Sequence, residues 1–484
     1  MLFNSWQFVF FFLTVYTIYL LLPRFRWQNY FLLAVSYVFY AAWDWRFCFL
    51  MMVTTVIDYF CGLAMEASTE KRTKRIFLII SVCSNLGVLG FFKYYKFFLS
   101  SLDSLLAPTG LTVDRLHLHI VLPVGISFYT FQAITYTADV YWGKLKPTRN
   151  LLNFALVVAL FPQLVAGPIE RAKVLLQQIT RPRTIDEVKF FSGCWLIFWG
   201  LWKKIVLADN LAALVDPLFA RTGSLTAAEA YLAVLGFAFQ IYCDFSAYSD
   251  IARGAARLLG FELMVNFNCP YFATSPSDFW RRWHISLSSW LRDYLYVPLG
   301  GNRGGERKTY RNLMLTMMLG GLWHGAAWNF VWWGVYHGLI LCVWRFFGDG
   351  RRTEDEPSPL RRLGAILFMF QFTLFGWLLF RCNRVLPLPD GRTRDDSFNQ
   401  IVEMLTSFRN GWGMTASAAQ LLGTILACAV PLLTLEWLAQ KRGQMIGEFR
   451  WIPRPALVAL ASVMVFTWLF WGVPYAETFI YFQF

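Results

Sequence analysis

Twelve apolar stretches punctuate this chain, at residues 8–22, 30–42, 47–65, 76–92, 119–140, 151–165, 190–206, 231–245, 313–344, 363–380, 421–437 and 456–471. A helix needs ~20 mostly apolar residues to cross a bilayer core, and hydrocarbon leaves no bare backbone polar group unpaired. The pattern therefore predicts one all-α, polytopic membrane protein of about 11–13 transmembrane or re-entrant helices, several of them too short to span alone. Charged residues make up 15% of the 484, against roughly 25% in an ordinary soluble domain. The formal charge of +14 does not indicate a nucleic-acid binder, which keeps its apolar residues in one modest core. Nucleic acid is thus excluded as a partner, and the lipid bilayer is expected. The nine cysteines are scattered without a C-x-x-C pair, so neither a disulfide framework nor a metal site is expected.

Loop charges give an orientation. No Lys or Arg precedes the first apolar run, whereas Arg24 and Arg26 follow it, so the run reads as a retained span with its N-terminus outside. The third connection carries Lys71, Arg72, Lys74 and Arg75, and the fifth carries Lys144, Lys146 and Arg149. The second and fourth are nearly neutral, so the alternation holds. Lys441, Arg442, Arg450 and Arg454 precede the final run, which places residues 472–484 outside as well. The chain divides into N-terminal helices (1–265), a core of interleaved charges and aromatics (266–345), and C-terminal helices with an outward tail (346–484). The core segment has no clean span between 266 and 311, a pattern that suits interfacial or re-entrant helices lining an enclosed cavity.

Two core segments carry chemistry. In residues 278–301, DFWRRWHISLSSWLRDYLYVPLGG, a continuous helix would align His284, Ser288 and Arg292 on one stripe, opposite Trp283, Leu287, Trp290 and Tyr294. Asp293 joins Ser288 and Arg292 as a candidate cavity residue. The run 313–344 is too long for one span, and Gly320 and Gly321 are expected to interrupt it just before His324. An imidazole inside an apolar run is a functional candidate by default. Its ordinary pKa of ~6.5 suits it to accept a proton near neutrality. His337, nearer the end of the run, reads as structural. Between the histidines lies GGNRGGERKTYR, where Asn302, Arg303, Arg307, Lys308 and Arg311 either cradle a phosphate or obey the positive-inside rule. Asp244 and Asp250, in YCDFSAYSD, either line a polar cavity or cap helix ends. Hydrolase-elbow, zincin, P-loop and dinucleotide motifs are absent.

WRRWHISLSSWLRDYLYVPLGGNRGG followed by NLMLTMMLGGLWHGAAWNFVWWGVYHG closely resembles the membrane-bound O-acyltransferase (MBOAT) family, in its AlgI-like bacterial branch of alginate O-acetylation. Matching stretches include AVSYVFYAAW (34–43), LPVGISFYTFQAITYTADVY (122–141), FPQLVAGPIER (161–171) and YCDFSAYSDIARG (242–254). The resemblance implies helices around a central tunnel that joins a cytoplasmic donor side to an outer acceptor side. It matches His324 in GGLWHGA to the central catalytic histidine and His284 in RRWHISL to a second characteristic one. It implies an acyl thioester donor, here acetyl-coenzyme A, used as a substrate with no cofactor bound. Arg303, Arg307, Lys308 and Arg311 are then its candidate phosphate contacts, and Asn302 a candidate at the oxyanion. The terminal FIYFQF resembles the F-x-Y-x-x-F ending of bacterial members, which marks Tyr481 as a candidate acyl acceptor.

The expected function is an O-acetyltransferase of the bacterial inner membrane that sends acetyl outward for acetylation of an exopolysaccharide or cell-wall glycan. A periplasmic SGNH-type acetyltransferase would complete delivery. Two alternatives differ in kind: D-alanyl transfer from a phosphopantetheine carrier protein, and a membrane transporter.

Overall fold

The computed structural model describes residues 1–484 except 107–108, 110–117, 119, 165–166, 349–357, 388–392, 445–451, 474–478 and 481–484. It is overwhelmingly helical, and eight of the described helices are long and apolar enough to cross a membrane. The chain divides into two compact units, Met1–Trp199 with Tyr248–Met264, and Gly200–Ala247 with Val265–Phe484.

The first unit contains α1 (Trp6–Leu21), α2 (Phe25–Asp44), α3 (Arg46–Ala67), α4 (Lys71–Leu89), α5 (Tyr95–Leu106), α6 (Ile126–Tyr141), α7 (Leu151–Ala159), α8 (Phe161–Leu164), α9 (Ala172–Ile179) and most of α10 (Glu187–Trp202). A π-helical turn at Gly90–Tyr94 joins α4 to α5 in one long span. Aromatic rings fill the contacts between α1, α2 and α8, with Phe39 and Phe161 centroids 5.7 Å apart. Hydrocarbon supplies no water, so polar side chains there must satisfy one another. Asp58 of α3 accepts from the Ser81 hydroxyl at 2.6 Å and the Asn85 amide at 2.8 Å, both on α4. Ser81 also lies 2.8 Å from the Thr137 hydroxyl of α6, which links three helices.

The second unit begins with a π-helical turn at Lys203–Ala208, α11 (Asp209–Ala220) and the first part of α12 (Ala227–Leu258). Of the apolar window in α12, 89% is buried, against 6% in the last helix. Then follow α13 (Pro276–Arg282), α14 (Ile285–Leu291), α15 (Glu306–His324), α16 (Trp328–Gly348) and α17 (Pro359–Arg381). A ribbon pairs β1 (Val385–Pro387) with β2 (Thr393–Asp395) in antiparallel register, with Leu386 opposite Arg394. The chain continues through α18 (Ser397–Thr406), α19 (Ala416–Lys441) and α20 (Arg454–Trp471). Arg384 ties the ribbon to α18, with its guanidinium 2.6 Å from Asp396 and 2.7 Å from Glu403.

One expectation needs correction. Gly320 and Gly321 do not interrupt the 313–344 run; both lie inside α15, and the break comes after His324, where Gly325 turns extended. Gly321 serves close helix approach instead. A Cβ on Gly321 would sit 2.2 Å from the Phe330 carbonyl oxygen, and one on Gly334 would sit 2.4 Å from that of Met317. Small residues at such crossings let two backbones meet. Gly364 of α17 has open space where its Cβ would be.

Gly334→Ala is therefore expected to cost about 1–3 kcal/mol through overpacking. Gly364→Ala should be neutral or stabilising by up to ~1 kcal/mol from helix propensity. Thermal unfolding of the purified protein in detergent, followed by tryptophan fluorescence, checks both: Tm falls for the first and holds or rises for the second.

Candidate active site

His284 occupies a break between helices rather than a helical stripe. Ser275 caps α13 by accepting the Asp278 N–H at 3.1 Å, with Pro276 in the first turn. The helix ends at Arg282, and His284 adopts left-handed backbone with φ of 43°. That region costs a non-glycine residue ~1 kcal/mol or more, so neighbours must hold it there. The neighbours are residues 266–268. Ile285 N–H donates to the Asn266 carbonyl and Asn268 N–H to the Arg282 carbonyl, each at 2.9 Å. The Asn266 side-chain oxygen lies 3.1 Å from His284 Nδ1 and accepts from the Ser286 hydroxyl at 3.0 Å. An oxygen that can only accept assigns the proton to Nδ1, which leaves the Nε2 lone pair open. Among the described residues, Nε2 has no hydrogen-bond partner.

His324 ends α15 on a buried face, and its imidazole stands among aromatic edges. Ring centroids of Trp333 and Phe380 lie 5.0 and 5.5 Å away, both nearly perpendicular. The two motif histidines meet in this same unit with centroids 6.3 Å apart. Phe245 of α12 packs edge-on against His284 at 4.7 Å, so the pair is walled by rings that exclude water. His337 stacks on Phe279 at 6.1 Å and abuts Trp333 at 4.7 Å, consistent with its structural reading.

Asp244, on α12, is 3% exposed and lines an ionic cluster. Its Oδ1 lies 3.0 Å from Lys204 Nζ, which also meets Asp209 at 2.7 Å. Its Oδ2 accepts the backbone N–H of Ile480 at 2.7 Å. Phe479, fully buried, packs 5.7 Å from Phe245. The tail residues described thus join the ring wall of His284. Tyr481 lies outside the described residues.

Other expected site residues fall elsewhere. Asp250 belongs to the first unit, where it pairs with Arg253 at 3.1 Å. Both Asp244 and Asp250 sit within α12, so neither caps a helix end. Arg292 does not line a cavity: it is 65% exposed and pairs with Asp293 at 2.7 Å. The stripe fails because His284 breaks the helix, and Ser288 donates to the Trp283 carbonyl at 3.1 Å. Asn302, Arg303, Arg307, Lys308 and Arg311 are exposed around the start of α15. His324 ends that helix, roughly 27 Å away at 1.5 Å per residue. Asn302, bonded to the Tyr296 hydroxyl, is too far to serve at a carbonyl beside His324. Sequence reasoning missed Asn266, which no local motif marks. It also missed Lys204 and Glu436, buried charges inside apolar runs, and that signal was available.

The model of the membrane-bound O-acyltransferase family matches residues 146–386, which include both histidines. The chain is 45% identical over 387 residues to a protein of Pseudomonas aeruginosa named probable alginate O-acetylase AlgI, covering 80% of this chain and 73% of that one. It is 36% identical over 416 residues to the peptidoglycan O-acetyltransferase of Helicobacter pylori, covering 80% and 78%. The teichoic acid D-alanyltransferase of Bacillus subtilis is 28% identical over 278 residues, covering 53% and 68%. Identity of this depth, over helices that bring the motif histidines together, establishes that the chain belongs to the membrane-bound O-acyltransferase family.

Proposed function

We propose that this membrane acyltransferase moves acetyl from cytoplasmic acetyl-coenzyme A outward for O-acetylation of an exopolysaccharide or cell-wall glycan. The observation that carries the chemistry is the pairing of His324 with His284, 6.3 Å apart in a ring-walled, buried setting. His324 takes the proton of the acceptor hydroxyl, whose oxygen adds to the thioester carbonyl. The carbon–sulfur bond then breaks, and the imidazolium returns its proton to the departing thiolate. His284, with Nδ1 held by Asn266, directs Nε2 lone-pair density toward the same reaction. Acetyl is favoured over D-alanyl because the two O-acetylating relatives match at 45% and 36% over 80% of the chain, against 28% over 53% for the D-alanyl transferase. Membership in an acyltransferase family sets the transporter reading aside.

In this reading residues 266–345 are the catalytic core of a single membrane domain, flanked by 1–265 and 346–484. Both termini lie outside an inner membrane, as the alternating loop charges favour. The exposed Arg303, Arg307, Lys308 and Arg311 contact donor phosphates. Tyr481 is the first acceptor, since a phenol of pKa ~10 leaves more readily than a sugar hydroxyl and keeps the acetyl group activated. A periplasmic SGNH-type acetyltransferase then passes it to the glycan.

Three outcomes test this. With labelled acetyl-coenzyme A and protein in liposomes, His324→Ala should lower transfer by about 100-fold or more, the usual contribution of a general base. Undiminished transfer would sink the assignment. Asn266→Leu removes the acceptor that orients His284 and should lower kcat about 10-fold or more while leaving KM for acetyl-coenzyme A little changed, as loss of an orienting partner does. If label on the protein survives Tyr481→Phe at the wild-type level, the relay fails while the donor chemistry stands.

A further inference from the structure

The Lys204 cluster has a composition that acyl transfer by the histidines does not explain. Lys204 and Asp244 are each at most 4% exposed, and Asp209 is 2% exposed. One ammonium faces two carboxylates in the interior of the second unit. Buried charges persist where every lone pair is answered, because desolvation outweighs an imperfect ion pair. Lys204 answers Asp209 and one oxygen of Asp244. The other oxygen of Asp244 is answered by the main chain of the C-terminus, the Ile480 N–H at 2.7 Å.

The same stretch of chain grips the C-terminal segment farther back. Trp202 Nε1 donates to the Thr467 hydroxyl at 2.9 Å, and Asn210 to the Trp471 carbonyl at 2.7 Å. Val473 N–H reaches the Ile205 carbonyl at 3.3 Å. Ile205 lies in the π-helical turn Lys203–Ala208, an irregularity of the kind that concentrates at functional sites. Phe479 and Ile480 are 0% and 2% exposed. They end beside Phe245, whose ring lies 4.7 Å from His284.

From this geometry we infer that Asp244, held by Lys204, is a positioning residue that docks the C-terminal tail of the chain beside the histidine pair. The π-helical turn fixes where the segment leaves α20, and Asp244 fixes the backbone of its penultimate stretch by charge rather than by side-chain identity. A backbone N–H is the donor, so the contact sets the position of Ile480 whatever side chain it carries. The consequence for acyl transfer rests on the reading of Tyr481, which follows Ile480 in the sequence, as acceptor. The docking itself does not.

A labelling experiment on the detergent-solubilised full-length chain separates the two. Ile480→Cys is expected to react slowly with a polar maleimide, after subtracting the reaction of the nine native cysteines in the parent chain. Adding Asp244→Ala should accelerate that reaction about tenfold or more, the factor corresponding to one lost hydrogen bond to a charged group. Asp244→Asn keeps an acceptor of the same shape and should give a smaller acceleration, and it carries the test if the alanine variant does not fold. Asp209→Asn removes a carboxylate from Lys204 but leaves the tail contact, so its rate should stay near that of Ile480→Cys alone. Unchanged labelling in both Asp244 variants, or equal acceleration by Asp209→Asn, overturns the inference. No acyl donor enters the assay, so the result stands whether or not Tyr481 carries acetyl.

Discussion

A bilayer offers no water to a buried donor, acceptor or charge, and the arrangement of this chain follows from that shortage. Every polar side chain placed at depth must find its partner within the protein. Asp58 draws Ser81 and Asn85 to itself, and Lys204 draws Asp209 and Asp244. Asn266 holds Ser286 and His284. The same requirement makes a reactive imidazole available. Once Asn266 fixes the proton on Nδ1 of His284, the ring walls of Phe245 and Phe267 exclude the solvent that would otherwise compete for Nε2.

The site is assembled where helices stop. His324 is the last residue of α15, and Gly325 follows it in extended backbone, where the Phe330 ring stands 2.1 Å from the place a Cβ would take. His284 stands between α13 and α14 in a conformation only its surroundings support. Helix interiors project side chains at fixed spacings, whereas ends free them to be aimed. Two ends in one unit bring the rings to 6.3 Å although forty residues of chain separate them.

His324 was legible because an imidazole in an apolar run is costly and needs a reason, and His284 through the motif RRWHISL. The class of fold was legible for the same kind of reason, since apolar blocks of spanning length leave few alternatives. The stripe through His284, Ser288 and Arg292 was misleading because periodicity assumes a continuous helix. The break depends on Asn266, eighteen residues earlier in the chain. Gly320 and Gly321 read as a break because sequence alone does not show the facing helix, where Gly334 lies against Gly321. The partner of Asp244 was out of reach for a different reason. A main-chain N–H 236 residues away leaves no mark on residue type, although the buried charge of Lys204 announced that some partner existed.

The central claim is that thioester cleavage in this chain proceeds through His324. Its most direct test is coenzyme A thiol release after rapid mixing of acetyl-coenzyme A with the wild-type protein in liposomes, without glycan. Wild-type protein is expected to give a burst of free thiol in proportion to its amount, absent in His324→Gln. A burst of the same size and rate in the glutamine variant would contradict the claim.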